Sequence, residues 1–133
     1  MAYSLSVTEL PGYLHFRVSG RNSKDAVIGY LTEVVSTCMR LNCPIALIEE
    51  NLSGPSLELG EIFRIASAGS STTAPGIRAV AVADVNPEHS REKMKFAENV
   101  AVTRGTNVRV FDSVAAAEEW VRSQVAALHD APR

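Results

Sequence analysis

Apolar and polar residues alternate along the first part of the chain, with one interruption at Pro11-Gly12. Tyr3, Leu5 and Val7 stand against Ser4, Ser6 and Thr8, which predicts a half-buried strand over 3–9. After the Pro-Gly turn, Leu14, Phe16 and Val18 alternate with Tyr13, His15 and Arg17, so the two segments read as a hairpin ended by Gly20. The period then changes. Val27, Leu31, Val34, Val35, Cys38 and Leu41 recur at three- and four-residue spacings, one buried stripe of a long helix. Asn22 or Ser23 caps its start, with Asp25 near the positive end; Asn42 and Pro44 end it.

Ile45-Ala46-Leu47-Ile48 is a continuous apolar run of the kind buried on both faces of a parallel sheet. The segment 49–55 reads as a loop, and Ser56 as the cap of a second helix that buries Leu59, Ile62, Phe63 and Ala66. A Ser/Thr-rich stretch from Ser70 to Gly76 leads to a strand over 77–83. Asn86-Pro87 opens a third helix, charged from Glu88 to Lys95, apolar around Phe96, Val100 and Ala101, and ended by Gly105. Val108 to Phe111 form the last strand. Asp112 or Ser113 caps a final helix that buries Val114, Ala117, Val121, Val125 and Leu128. The order is ββαβαβαβα: an α/β fold with a single mixed, mostly parallel sheet of about five strands and four helices. No linker or repeat divides it, so residues 1–128 read as one domain and 129–133 as a frayed tail.

Composition narrows the classes of function. The chain has 133 residues, 46% of them hydrophobic, enough for one core without disulfides or metals. Its net charge is −2, with basic residues scattered singly, so no nucleic-acid partner is expected. No apolar run approaches the roughly 20 residues of a membrane span. The amino terminus lacks the basic head and apolar stretch of a signal peptide, and a reducing cytoplasm is the expected location. Cys38 and Cys43, five positions apart with no second pair, do not make a zinc site and read as small apolar side chains. Neither a metal nor a cofactor is expected.

Ligands of open α/β sheets bind beyond the carboxyl ends of the parallel strands. The polar residues expected there are Asn22, Ser23, Glu49, Glu50, Asn51, Ser53, Ser56, Asp84, Asn86, His89, Asp112 and Ser113. Glu49, Asp84 and Asp112 do not make a magnesium cage of the receiver type, which needs a lysine after the last strand where Phe111-Asp112 stands. No G-x-S-x-G elbow and no glycine-rich phosphate loop occurs. His15 reads as mid-strand on the polar face, His89 as exposed in the first turn of a charged helix, and the acids as helix caps facing water. No catalytic residue is assigned.

One stretch is more specific. Phe96 to Gly105, then Asn107 to Phe111, then Ala117 and Trp120, place Arg-Gly at a helix end, Phe at a strand end, and Ala and Trp in the last helix. This pattern, with the element order, resembles the STAS superfamily of anti-sigma-factor antagonists, and particularly its SpoIIAA-like relatives. The resemblance implies a SpoIIAA-like fold and a regulatory protein–protein interaction. In the antagonists a serine preceded by aspartate, at the start of the helix after the third strand, is phosphorylated by a partner kinase. Here Leu52-Ser53-Gly54-Pro55-Ser56-Leu57-Glu58 puts Ser56 where the aspartate would be and Leu57-Glu58 where serines would be. The signature is missing, and phosphorylation of Ser53 or Ser56 is not expected.

Two readings of function follow. The first is a non-enzymatic STAS-like module that binds an unidentified protein with a face comprising Asn51, Ser53, Ser56, Glu58, Glu61, Asp84 and His89. The second is a carrier of a small apolar or lipid-like ligand, with the charged helix 87–104 as a lid. The edge hairpin, through Tyr3, Leu5 and Val7, also offers a surface for a homodimer.

Overall fold

The computed structural model describes residues 3–72 and 76–130. Five strands lie in the spatial order in which they occur along the chain. β1 (Tyr3–Leu10) and β2 (Tyr13–Arg21) form the antiparallel hairpin, and β2, β3 (Ile45–Ser53), β4 (Ala79–Asp84) and β5 (Val108–Phe111) are parallel neighbours. The connecting helices are α1 (Lys24–Arg40), α2 (Leu59–Thr72), α3 (Arg91–Thr103) and α4 (Val114–Asp130). The order ββαβαβαβα is the expected one. The last helix continues two residues past the expected end of the domain, and residues 73–75 of the Ser/Thr-rich stretch lie outside the described residues.

Strand alternation sorts the core into two faces. Leu14, Phe16, Val18, Ala46, Ile48 and Leu52 meet Val27, Tyr30, Val34 and Cys38 of α1 on one side. On the other, Tyr13, Ile45, Leu47, Ala79, Ala81 and Ala83 meet Ala117 and Val121 of α4. Phe111 and Trp120 close one end of that second face, their rings tilted with centroids 5.9 Å apart. The hairpin turn holds Gly12 at φ +87°, and a Cβ there would lie 2.6 Å from Val125 Cγ1 of α4. Gly12→Ala therefore combines backbone strain with overpacking, and is expected to cost about 2 kcal/mol in urea denaturation. An unchanged midpoint would rule out this close approach.

Ser23 Oγ accepts from Ala26 N at 3.1 Å, making Ser23 the cap of α1, and Asn42 takes the left-handed conformation with φ 52°. Cys38 is fully buried, which pushes its thiol up to about 11 with help from the nearby Cys43; Cys43 itself is only half-buried.

Four local expectations are corrected. β3 does not stop at Ile48; it runs on to Ser53, because β2 continues beside it through Arg17↔Glu49 to Arg21↔Ser53. Ser56 does not cap α2: its Oγ accepts from Ser90 N at 2.7 Å, and Glu61 caps α2 by accepting from Glu58 N at 3.3 Å. Leu59 and Phe63 of α2 are exposed rather than buried, and Ile62 is the residue that points inward. α3 begins at Arg91, not at Pro87. Asn86 forms a turn whose carbonyl accepts from His89 N and whose side chain accepts from Glu88 N, and Ser90 then caps the helix.

α3 is tied to its neighbours at two points. Lys93 Nζ donates to Leu57 O at 3.0 Å, and Glu98 turns inward to accept from Val110 N of β5 at 2.8 Å. Burial alone would raise Glu98, but Lys95, the Val110 amide and Arg109 outweigh it and hold the carboxyl below the usual range. This carboxylate covers a backbone donor on an edge strand that would otherwise invite another chain.

Candidate functional site

At the carboxyl ends of β3 and β4, three titratable side chains turn into the protein. The alternation that buries Ile48 and Leu52 also buries Glu50 between them, at 6% exposure. Asp84, the last residue of β4 and the register partner of Glu50, is 3% exposed. His89, from the turn after β4, is 8% exposed. One donor atom from each lies within 4.8 Å of the other two. Tyr30 of α1 reaches them from the adjacent helix, its hydroxyl donating to Glu50 Oε2.

Each member is oriented by a neighbour. His89 Nδ1 lies 2.6 Å from Asp84 Oδ2, and Nε2 lies 3.0 Å from the Gly54 carbonyl. A carbonyl only accepts, so Nε2 carries a hydrogen, and the short Nδ1–Oδ2 contact holds a second hydrogen between the ring and the Asp84 carboxylate. Asp84 Oδ1 accepts from Asn86 N at 3.1 Å. Burial pushes the Glu50 carboxyl up to about 7; Asp84 adds to the rise, while Tyr30 and His89 oppose it. Burial and Glu50 likewise push the Tyr30 hydroxyl well above its ordinary value.

The same cluster secures the 53–57 loop that precedes α2. Gly54, at φ +99°, presents its carbonyl to His89 in a conformation suited to glycine. Asn22 Nδ2 donates to Pro55 O at 2.9 Å, Asn22 N to Ser53 O at 2.8 Å, and Asn86 Nδ2 to Leu52 O at 2.7 Å. Ser53 Oγ donates to Gly20 O, and Ser56 is held by Ser90. The loop is thus tied to the end of β2, the turn after β4 and the first turn of α3.

The expected face is therefore split in depth. Asn51, Ser53 and Glu58 are exposed, Ser56 and Glu61 half-buried, and Asp84 and His89 lie beneath them. The expectation of an exposed His89 is corrected: with α3 starting at Arg91, the preceding turn directs the imidazole down to Asp84. Asp84 is likewise no helix cap facing water. His15 is buried as well, on the α4 side of the sheet, 3.2 Å from Glu49 Oε1, which Arg17 also approaches at 3.5 Å. Glu49, Asp84 and Asp112 are not brought together, since Glu49 faces the opposite side of the sheet from Glu50 and Asp112 is exposed beside Arg91. Tyr30 escaped the sequence reading, although it lies in the same helical stripe as Val27, Val34 and Cys38.

The arrangement is a poor acid–base machine. Asp84–His89 has the form of a dyad, but the nitrogen that would activate a nucleophile is engaged by Gly54. A recess of about 540 Å³ lies at the other end of the sheet, lined by residues including Cys38, Met39, Pro44, Ile77 and Leu128, away from the first half of α3. Among the described residues, no helix is long and apolar enough to cross a membrane.

Such a mixed five-stranded sheet, with the order ββαβαβαβα, is the fold that the sequence pattern predicts. Among solved structures it is similar to an anti-sigma factor antagonist from Mycobacterium paratuberculosis, with a TM-score of 0.58. The match covers 90% of this chain and 94% of that one at 15% identity, which makes it a likeness of fold. No family model and no curated protein matches the sequence.

Proposed function

We propose that this protein is a non-enzymatic binding module that engages a protein partner through the 53–58 loop and the exposed side of α2. The observation that carries this reading is the pair Leu59 and Phe63, 52% and 44% exposed. One turn apart on one helix face, they form an apolar anchor beside a loop held rigid from below. Arg104 stacks over Phe63 at 5.6 Å and leaves a cation at the rim, with Glu58 at the start of the helix. Rigid placement lowers the ordering cost of association, which suits a docking surface.

The comparison supports the same class, because an anti-sigma factor antagonist acts on another protein. The engaged nitrogen of His89 speaks against an enzyme. The missing Asp-Ser-Ser signature, together with Ser56 Oγ already bonded to Ser90 N, supports a module whose binding is not switched by a phosphoserine at this loop.

A photo-crosslinking residue at position 63 tests the surface in native cells, against the same residue at position 119, which is exposed on α4. A discrete protein adduct from position 63, lost on Leu59→Glu, is the expected result. No adduct, or the same adducts from both positions, would overturn the assignment.

A further inference from the structure

We propose that Glu50, Asp84 and His89 form a binding site for one divalent cation of the zinc class. The donor set is mixed, one imidazole nitrogen and two carboxylates, contributed by three segments far apart in sequence. All three side chains are more than nine-tenths buried, and their donor atoms lie within 4.8 Å of one another. Surface acids facing water are common and carry no such implication. Two carboxylates converging in the interior are costly unless a positive charge joins them.

The orienting contacts are those a metal site requires. A ligating histidine usually donates its second ring N–H to a carbonyl or carboxylate, which fixes the tautomer and aims the other nitrogen at the ion. His89 does this with Gly54, and a cation would take the place of the hydrogen now held between Nδ1 and Asp84 Oδ2. The Tyr30 hydroxyl positions Glu50, and the Asn86 amide positions Asp84. Each of the three donors thus has a partner outside the set, from α1, the loop after β3 or the turn after β4.

Charge and hardness select the ion. Once the cation displaces the protons held by the cluster, two carboxylates and a neutral imidazole sum to two negative charges, which a divalent cation cancels. Magnesium and calcium prefer all-oxygen shells, whereas an imidazole with carboxylates suits zinc, cobalt or manganese. Because His89 also holds Gly54, an ion bound there would be linked to the loop of the proposed docking surface. The cation site does not depend on that surface being correct, and its test involves no partner protein.

The full chain, stripped with a chelator and dialysed, would be titrated with Zn²⁺ and with Co²⁺. The expected result is one equivalent bound, visible d–d absorption for Co²⁺, and X-ray absorption showing one nitrogen with oxygen ligands. Glu50→Gln should remain folded by circular dichroism yet bind more weakly by at least about 100-fold, the upper end of what loss of an outer-shell partner alone costs. Asp84→Asn serves as a second ligand variant if that one fails to fold. Glu49→Gln, one residue along and on the opposite face, should bind as the unaltered chain does. Absence of stoichiometric binding by the unaltered chain would overturn the assignment. So would binding unaffected by Glu50→Gln but lost in Glu49→Gln, which would place the ion at His15.

Discussion

In the presence of a chelator, Glu50→Gln is expected to be more stable than the unaltered protein at pH 8 and nearly equal to it at pH 4.5. Burial raises the Glu50 carboxyl from 4.5 to about 7. Between those values the folded chain holds a proton that the unfolded chain has released. Stability from this group is therefore fully present below about pH 4.5 and is lost as the pH rises through 7. The upward shift corresponds to about 3 kcal/mol across the window. The groups facing Glu50 are Tyr30 from α1, Asp84 from β4 and His89 from the following turn, and all remain in the variant. A glutamine amide can donate to Asp84 and accept from Tyr30, as the protonated acid does. Urea unfolding of both proteins from pH 4.5 to 8 gives the difference directly. Parallel stability curves would show that Glu50 does not hold a proton in the interior.

His89→Ala is expected to be the most damaging single change at this site. It removes the partner of Asp84, which is 3% exposed and lies beside a second carboxyl group. Removing one member of a buried pair costs about 3–5 kcal/mol, because the other is left in the interior without compensation. Typical domains have only about 5–15 kcal/mol in total, so the unfolding midpoint should fall far. The Gly54 carbonyl also loses its donor, so amide exchange should quicken at 53–57 and 86–90 before the strands respond. A loss below about 1 kcal/mol by urea denaturation would mean that Asp84 does not depend on His89.

Much of the fold is legible in the pattern of residues. The period of two in Leu14, Phe16 and Val18 and the helical spacing of Val27, Val34 and Cys38 each identify an element without reference to the rest. Ser23, Asn42 and Ser113 act within a few residues of themselves, and the structure finds Ser23 and Ser113 capping and Asn42 left-handed. Glu50 was within reach of the same reasoning. Ile48, Glu50 and Leu52 continue the alternation of β3, in phase with Phe16, Val18 and Gly20 of β2. Two adjacent glutamates make that stretch look like a loop because charge outweighs period in a local window.

His89 was beyond that reasoning. Its contacts run to Asp84 across a turn and to Gly54, 35 positions away, and no spacing along the chain encodes the second. A histidine among Glu88, Arg91 and Glu92 looks exposed, and only the packing of the β4 turn against the 53–57 loop turns it inward. The same holds for Leu59 and Phe63, whose helical spacing marks a buried stripe on paper. In the folded chain, Ile62 is the buried residue and the apolar pair faces outward.

The sequence by itself determined the element order, the two-faced sheet and the absence of the antagonists' phosphoserine signature, because period and local motif are properties of neighbours. Tertiary structure alone decided which polar groups at the carboxyl ends of the strands leave water. That outcome depends on desolvation and pairing between distant segments, and it turned an acidic loop region into the buried Glu50–Asp84–His89 cluster beneath an exposed apolar helix face.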